Sequence, residues 1–393
     1  MNTEILNIEI QEFISSNLNT ETSKILLKGT NFKHVSTLEI VDQIEAKVKC
    51  KKKLPTWFSS EKIYYPNKLN IEQTSSEIAA SYKSQLLSGS SIIDVTGGFG
   101  VDSHYFSKVF DKVIHCEINS ELSEIVSHNN NVLAVGNIES ISSDGISHVL
   151  SSKNTYDWIY IDPSRRHDSK GKVFFLNDCL PNVPKHLNDL FKSSQRIAIK
   201  TSPLLDLSIG IDELKHVKEI HIVAIKNEVK ELLWLLESGF NNEITIKTVN
   251  IIEDKKDDFS FKFVDESKAL VTFDYPQKYL YEPNSAILKS GGFNSLAENL
   301  KLSKLQQHSH LYTSNDLVDF PGRSFKIESV LDYNKKQMKS LGVSQANITT
   351  RNFQETVQQI RKKHRIKDGG NTYLFFTTNY LNEKIVVICS KFD

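Results

Sequence analysis

The residues best suited to chemistry in this 393-residue chain are acidic side chains that follow short apolar segments. Asp94 is the first of them, and the residues after it form a turn dense in glycine: Thr96, Gly97, Gly98 and Gly100. Glycine has no Cβ atom, so such a turn adopts unusual dihedrals and lets its backbone approach a ligand closely. An apolar strand that ends in an acid and this kind of turn is typical of a nucleotide-binding α/β domain. The pattern predicts an enzyme with a cofactor that contains adenosine.

Two further acids end apolar segments in the same way. Glu117 closes the segment 111–118, and a carboxylate at the end of a second strand can accept hydrogen bonds from both ribose hydroxyls. Asp162 closes the segment 157–163 just before Pro163, and a residue before proline is biased towards extended backbone. We therefore expect three strand ends to line one edge of one sheet.

The elements that must position these acids alternate along the chain. Helices are predicted at 71–88, 141–150 and 173–191, and further strands at 131–136, 196–201 and 217–226. This rhythm favours a mostly parallel sheet, and right-handed crossovers place its ligand crevice at the carboxyl ends of the strands. Asn137 follows the predicted strand 131–136, where its amide can pair with adenine or serve as a simple turn residue.

Together these motifs resemble class I S-adenosylmethionine-dependent methyltransferases over roughly residues 70 to 240. The order Asp-x-Thr-x-Gly-x-Gly-x-Asp is similar to that of ribosomal RNA methyltransferases that modify the exocyclic amine of guanine. Thr96 replaces the usual first glycine, and Ser164 replaces the second proline of Asp-Pro-Pro. The resemblance implies S-adenosylmethionine as the cofactor, bound by Asp94, Thr96, Gly97, Gly98, Gly100, Asp102, Glu117, Asn137 and Asp162.

The resemblance also implies where the methyl group is transferred. In amine-methylating relatives, the acid equivalent to Asp162 and a following backbone carbonyl hold the substrate NH₂ group, and the transfer needs mostly positioning. The predicted catalytic residues are Asp162, Pro163, Ser164 and Arg165.

Cations near the same edge are expected to contact the substrate. Arg165 and Arg166 suit phosphate or base-edge contacts, with surface salt bridges as the alternative interpretation. Lys200 ends a strand on this edge and is expected to reach a substrate phosphate or carboxylate. Carbon methylation of a pyrimidine requires a cysteine nucleophile, and Cys179 falls inside the predicted helix 173–191, which disfavours that class.

Composition excludes several other classes of protein. Forty-eight basic and 48 acidic side chains cancel, so nucleic-acid contact must come from local patches. The chain shows no basic-then-apolar leader and no membrane-length apolar run, so the expected location is the cytoplasm. Reduced packing residues, and no metal site, are predicted for the scattered cysteines Cys50, Cys116, Cys179 and Cys389.

The two ends of the chain differ from its centre. Residues 1–70 show helical spacing of their apolar residues. Within this region, three lysines at 51–53 are followed by Trp57 and Phe58. That segment is interpreted either as an RNA contact with aromatic stacking or as a solvated helix end with an anchored loop.

After residue 241 the pattern predicts an antiparallel hairpin that completes the sheet, followed by two small α+β modules. These resemble the ferredoxin-like module and THUMP-like domain that end certain bacterial methyltransferases. The most basic run, 361–367, lies in the last module, near Arg351 and Phe353. Predicted RNA contacts there are Arg361, Lys362, Lys363 and Arg365, with a solvated helix end as the alternative.

The sequence thus predicts an α/β protein with a Rossmann-like, mostly parallel sheet and an antiparallel last strand. The expected domains are a helical region (1–70), the methyltransferase domain (71–273), the ferredoxin-like module (274–320) and the THUMP-like domain (321–393). The expected function is methylation of a guanine or adenine amine in structured RNA, ribosomal or transfer. A small-molecule or protein methyltransferase and a catalytically silent RNA-binding protein stay open as alternatives.

Overall fold

The computed structural model describes residues 1–165 and 175–392, with Arg165 described by its backbone alone. The predicted substrate residue Arg166 lies outside this part of the chain. The chain divides into two compact units. The first unit comprises Met1–Lys218 with Leu232–Asn241, and the second comprises Glu219–Glu231 with Asn242–Asp393.

Five short helices begin the first unit: α1 (Ile8–Ser16), α2 (Thr22–Lys28), α3 (Thr37–Lys53), α4 (Pro55–Ser59) and α5 (Lys68–Gln73). Helix α3 begins at a capping box in which Ser36 and Glu39 bond each other's backbone N–H. The apolar faces of these helices do not form a separate core, because they share one buried cluster with Phe99, Val101 and Ile125. The amino-terminal region therefore packs directly beside the glycine turn.

The rest of the first unit alternates strands and helices. Its helices are α6 (Glu77–Leu86), α7 (Val101–Phe106), α8 (Ser120–Val132), α9 (Gly145–Ser151), α10 (Val183–Leu190) and α11 (Leu207–Glu213). The strands along the chain as far as Glu237 are β1 (Ser91–Asp94), β2 (Lys112–Glu117), β3 (Ile138–Ser142), β4 (Trp158–Ile161), β5 (Ser164–Arg165), β6 (Cys179–Leu180), β7 (Arg196–Thr201), β8 (Val217–Ile225) and β9 (Glu228–Glu237). Most of β8 and the first residues of β9 belong to the second unit.

The sheet of this unit has the order β9-β7-β4-β1-β2-β3. All neighbours are parallel except β9, which runs antiparallel to β7. Strands β1 and β4 are buried on both faces, as continuous apolar segments require in a parallel sheet covered by helices. The predicted mostly parallel sheet with an antiparallel last strand is confirmed.

Two of the predicted elements are wrong. Residues 131–136 are not a strand, since α8 continues to Val132 and the true strand, β3, begins at Ile138. The single helix predicted at 173–191 is replaced, over the described residues, by β6 and the shorter α10. Proline explains the second error, because Pro181 precedes α10 and Pro184 lies in its first turn, where proline is tolerated.

The second unit contains β10 (Thr245–Ile252), which runs parallel to β8 and forms an antiparallel hairpin with β11 (Lys255–Lys262). A separate sheet of seven strands follows, with the order β13-β14-β12-β15-β18-β17-β16. Its strands are β12 (Tyr279–Pro283), β13 (Ser303–Lys304), β14 (Tyr312–Ser314), β15 (Gly322–Asp332), β16 (Asn347–Thr350), β17 (Thr372–Thr378) and β18 (Lys384–Lys391). The helices are α12 (Ser285–Ser290), α13 (Phe293–Asn299), α14 (Lys335–Ser340) and α15 (Val357–His364).

Strand β15 joins the two small modules into one sheet, because it pairs with β12 on one side and β18 on the other. No helix among the described residues is long and apolar enough to cross a bilayer. Residues 1–165 and 175–392 also hold no cluster of three His, Cys, Asp or Glu side chains that could bind a metal ion.

Candidate active site

The carboxyl ends of β1, β2, β4 and β7 bring four predicted site residues to one edge of the first unit's sheet. Asp94 ends β1, Glu117 ends β2, Asp162 follows β4, and Lys200 lies one residue before the end of β7. The four strands are consecutive in the sheet and parallel, so their carboxyl ends lie at the same edge. The edge predicted from sequence therefore exists.

Thr96 ties the first and third of these strand ends together. Its backbone N–H donates to Asp94 Oδ1 at 3.1 Å, and its hydroxyl accepts the backbone N–H of Asp162 at 2.6 Å. Glycine, which is usual at this position, has no hydroxyl to make the second bond. The substitution therefore has a structural reason, because it fixes the glycine turn to the loop expected to hold the substrate.

Glu117 is held by the backbone on two sides. Its Oε2 accepts the N–H of Gly98 at 2.8 Å, and its Oε1 accepts the N–H of Asn119 at 2.8 Å. Each carboxylate oxygen has two lone pairs, so both can accept a further hydrogen bond. The half-buried carboxylate is thus oriented in advance, with two acceptor atoms that match the two hydroxyls of a ribose.

His115 lies on the same face of β2 as Glu117 and also contacts the glycine turn. The fully buried imidazole has Nε2 3.3 Å from the carbonyl oxygen of Gly98. Burial lowers the pKa of His115, so the ring stays neutral near pH 7. Gly98 is therefore held at its N–H by Glu117 and at its carbonyl by His115. This histidine was not predicted from the sequence, although its position two residues before Glu117 on a strand puts both side chains on one face.

The close approach of Gly97 to His115 gives a testable prediction. A Cβ atom at Gly97 would lie 2.2 Å from His115 Nε2, so Gly97→Ala is expected to destabilise the protein by about 1–3 kcal/mol through overpacking. Thermal unfolding measures this loss, and adding His115→Ala should recover part of it. Gly136→Ala is the matched control because a Cβ there meets no atom within 4 Å. Equal effects at both glycines would contradict the proposed contact.

Asp94 supports the turn from inside the protein. It is buried, and it accepts the hydroxyl of Ser103 at 2.9 Å in addition to the N–H of Thr96. Burial, with Asp102 nearby, raises the pKa of Asp94 to about 7. Both of its oxygens are engaged within the protein, so its geometry favours shaping the turn over contacting a cofactor directly.

Asp102 is also engaged within the protein. Its carboxylate lies 3.1 Å from the fully buried Lys83 ammonium, and it accepts the hydroxyls of Ser75 at 2.9 Å and Tyr160 at 2.8 Å. Burial opposes its ionisation, but Lys83 and Lys200 together hold the pKa of Asp102 below its ordinary value. This buried ion pair links α6, α7 and β4 behind the site.

Asn137 does not reach this edge. It precedes β3, and its amide donates to the carbonyls of Ser107 and Phe110, both at 2.9 Å. Ile138 pairs with Val113 near the start of β2, so Asn137 lies at the opposite, amino-terminal edge of the sheet. The predicted placement beside adenine is wrong because the strand was assigned to 131–136. The carboxyl end of β3 carries 142–144 instead, since Ser142 pairs with Glu117.

The predicted catalytic loop continues from Asp162 through Pro163 into β5. Ser164 pairs with Leu180 of β6, and its hydroxyl donates to the Leu180 carbonyl at 3.3 Å. Asp162 is paired with Lys200, which is nearly buried. Burial raises the pKa of the Asp162 carboxyl, and Lys200 opposes that rise. The side chain of Arg165 lies outside the described structure.

Cys179 lies close to this loop, although the sequence predicted it to lie inside a helix. It sits in β6, not in a helix, and pairs with Arg165. Its position therefore gives no argument against carbon methylation. The thiol is nonetheless fully buried, and it donates to the Phe175 carbonyl at 3.6 Å. All four cysteines are buried, in agreement with their interpretation as packing residues.

The basic run in the second unit is only partly exposed. Arg361 pairs with Asp368 and donates to the Ala346 carbonyl at 3.1 Å, while Lys363 pairs with Glu355 at 2.9 Å. Two of the four predicted RNA contacts are thus engaged within the protein. Lys362 and Arg365 remain exposed.

The neighbours expected to extend this run contribute to the fold instead. Arg351 pairs at 2.9 Å with the buried Glu282, which also binds Arg323. Phe353 packs against Tyr333 and Phe376. Neither side chain therefore belongs to an exposed phosphate-binding surface.

The lysines at 51–53 fit the simpler of their two interpretations. Lys53 donates to the carbonyls of Ile71 and Glu72 at 2.9 and 2.7 Å, while Lys51 and Lys52 are exposed at the end of α3. Trp57 is buried and packs its ring against His104 and Phe99. These contacts favour a solvated helix end with an anchored loop.

Comparison with known proteins agrees with this architecture. Residues 279–321 match a family model of a ferredoxin-like domain, and residues 322–391 match a THUMP domain-like model. A solved structure from Porphyromonas gingivalis W83, provisionally named a methyltransferase, is 30% identical with a TM-score of 0.89. The alignment covers 98% of each chain. The chain belongs to the family of this protein. The chain therefore has a methyltransferase fold followed by ferredoxin-like and THUMP-like domains, as the sequence predicted.

Other solved structures match only part of this family member. An rRNA methylase from Streptococcus thermophilus is 15% identical, with 41% of this chain and 93% of that chain covered and a TM-score of 0.30. A protein from Streptococcus mutans, provisionally named a methyltransferase and solved with S-adenosylhomocysteine, is also 15% identical, with 41% and 96% covered and a TM-score of 0.31. Matches at these scores identify neither substrate nor cofactor for the present chain. No curated protein matches it.

Proposed function

We propose that this protein is an S-adenosylmethionine-dependent methyltransferase. The observation that carries the proposal is that one short turn links Glu117 to Asp162. Gly98 of this turn donates its N–H to Glu117, and Thr96 accepts the N–H of Asp162. A carboxylate that offers two acceptors to a ribose is thereby held at a fixed position relative to the acid expected to hold the substrate. Such coupling is what transfer between a bound cofactor and a bound substrate requires.

The residues present fit that cofactor. Glu117 would accept the ribose hydroxyls, the backbone of 96–98 would lie against the amino acid portion, and 142–144 would lie beside adenine. The glycine turn supplies the close approach, since Gly97 lies against His115 with no room for a side chain. When bound, the cofactor supplies a methyl group already activated by a positively charged sulfur.

Asp162 would hold the methyl acceptor. Its carboxylate accepts an N–H of a base amine and turns the nitrogen lone pair towards the crevice, while the carbonyl of Pro163 accepts the other N–H. The residues then contribute position and charge, and little proton transfer is needed before the nitrogen attacks. We infer an exocyclic amine of guanine or adenine as the acceptor, on the motif 94–102 and on Asp162-Pro163.

We infer structured RNA, ribosomal or transfer, as the substrate and the cytoplasm as the location. The THUMP-like domain supports this inference, together with a basic surface on its helices. Helices α14 and α15 share one buried cluster through Met338 and Ile360, so they cover the same part of the sheet. Exposed cations on these helices and just after α15 form the surface that we call the basic face: Lys335, Lys336, Lys339, Lys362, Arg365 and Lys367. Clustered lysines and arginines of this kind bind phosphate backbones.

Transfer of labelled methyl groups tests the proposal. The intact protein is incubated with labelled S-adenosylmethionine and RNA from cells that lack the protein, and the RNA is digested to nucleosides for mass spectrometry. We expect one labelled nucleoside, methylated on an exocyclic amine. Label in protein or in small molecules alone would favour the alternative methyltransferase classes. RNA binding without label in any fraction would favour a catalytically silent protein.

The basic face makes a quantitative prediction for RNA binding. The triple change of Lys335, Lys336 and Lys339 to Gln should weaken affinity for the RNA substrate. It should also reduce the slope of log K against log salt concentration by about 2–3, if each lysine neutralises one phosphate. Fluorescence anisotropy at several salt concentrations measures the slope.

The matched control for this experiment changes Lys24, Lys28 and Lys33 to Gln, since these lysines are also exposed but lie in the amino-terminal helical region. This variant has the same charge change as the first. An equal loss of slope in both triple variants would show that the effect is one of net charge and would contradict a localised RNA surface.

A further inference from the structure

The ion pair between Asp162 and Lys200 has a consequence for the reaction. Lys200 Nζ contacts Asp162 Oδ2, and the lysine is nearly buried near the carboxyl end of β7. Ile199 pairs with Ile161, so the two side chains come from neighbouring strand ends. This lysine was predicted from the sequence to reach a substrate phosphate or carboxylate. Its position on the carboxylate that would hold the substrate indicates a different role.

Other charged groups near Asp162 come from three elements. Asp94 lies on β1, Asp102 on α7 and Lys83 on α6, and each interacts electrostatically with Asp162 or with its neighbours. Lys83 forms its ion pair with Asp102. Lys200 pairs directly with Asp162.

The surroundings of Asp162 would otherwise oppose its ionisation. Burial and the negative charge of Asp102 both favour a neutral carboxylic acid, and Lys200 counteracts them. A neutral acid is a poor acceptor for a substrate N–H, because one oxygen then carries a proton. The ion pair also occupies Oδ2 of Asp162, so a second partner would bind at Oδ1.

We propose that Lys200 is a positioning residue, which holds Asp162 ionised and oriented so that Oδ1 accepts the amine of the substrate. This inference rests on the proposed function. In the step itself, the amine nitrogen forms a bond to the methyl carbon, and the carbon–sulfur bond breaks with its electron pair left on sulfur. The nitrogen then loses one proton, which passes to Asp162 and on to solvent. An ionised Asp162 can take that proton, whereas a protonated one cannot.

The pH dependence of transfer distinguishes this role from phosphate binding. Lys200→Met should move the acidic limb of the kcat profile to higher pH by about 1–3 units, as expected when an opposite charge within a few ångströms is removed. On the acidic side of that limb, transfer should fall about 10-fold for each unit of the shift, with little change in S-adenosylhomocysteine affinity. Lys200→Arg should restore the limb towards that of the unchanged protein. A raised KM for RNA with an unmoved limb would overturn the proposal.

A direct titration separates this inference from the proposed function. Carbon-13 NMR of aspartate-labelled full-length protein, with the Asp162 signal assigned by Asp162→Asn, gives the carboxyl pKa without any activity. Lys200→Met should raise that pKa, and Lys192→Met, which removes an exposed lysine paired with Asp189, should not. An unchanged pKa in Lys200→Met overturns the positioning role. A raised pKa in a protein that transfers no methyl group would uphold the ion pair and refute the proposed function.

Discussion

Glu117→Ala is expected to abolish the thermal stabilisation of this protein by S-adenosylhomocysteine. A ligand at 100 times its dissociation constant stabilises a folded protein by about 2.7 kcal/mol, which is readily seen as a rise in Tm. The alanine variant loses both acceptors for the ribose hydroxyls. It also releases the N–H of Gly98, which Glu117 accepts at 2.8 Å, so the turn loses one of the hydrogen bonds that fix it. We expect an affinity loss of about 100-fold or more, because hydrogen bonds to a charged group each contribute about 1.5–3 kcal/mol.

The control for this experiment is Glu121→Ala. Glu121 lies four residues further along the chain, is exposed, and contacts the amino terminus of Met1 at 3.6 Å. This change removes the same charge and the same side chain from nearby, but it touches neither the turn nor the strand ends. Equal loss of ligand stabilisation in both variants would show that net charge, and not the position of Glu117, controls binding.

Asp162→Asn is expected to reduce methyl transfer by about 10²–10³-fold, the range seen when one preorganised polar contact at a reacting centre is removed. The amide keeps the shape of the side chain but loses the charge and presents N–H groups to the substrate amine. The hydrogen bond from the Asp162 N–H to Thr96 is made by the backbone and should survive. Cofactor affinity should therefore change little, and initial rates with labelled methyl donor measure the loss.

RNA affinity gives the second half of this experiment. A substrate held chiefly by the basic face should bind Asp162→Asn and the unchanged protein alike. Retained transfer in the variant would contradict the assignment of Asp162 as the residue that holds the amine. Loss of both RNA binding and transfer would indicate that Asp162 acts through the structure of its loop.

The central strands were predictable because burial on both faces leaves a continuous apolar segment. Strands β1, β4 and β7 are of this kind, and their carboxyl ends, with Asp94, Asp162 and Lys200, lie at the predicted edge of the sheet. The edge strand β3 is only half buried and reads Ile-Glu-Ser-Ile-Ser, which carries no comparable signal. The more apolar segment just before it was taken for the strand, and Asn137 was misplaced as a result.

Ion pairs explain most of what the sequence did not reveal about the site. The run 361–367 was recognisably basic, but the partners of Arg361 and Lys363 are reached through local folding of α15 and its flanks. Lys83, Asp102 and Lys200 are far apart in the chain and come together only when α6, α7 and β7 pack around β1 and β4. Side-chain pairing at that range depends on the tertiary structure, which composition and spacing do not encode.

Calorimetric titration of the intact protein with S-adenosylhomocysteine tests the central claim most directly. The claim is that Glu117 and the glycine turn, beside Asp162, bind this cofactor. We expect one molecule bound per chain with an affinity on the order of micromolar, about 8 kcal/mol of binding free energy. A cooperatively folded protein that gives no binding heat at several temperatures, and no shift in Tm at millimolar ligand, would contradict the claim.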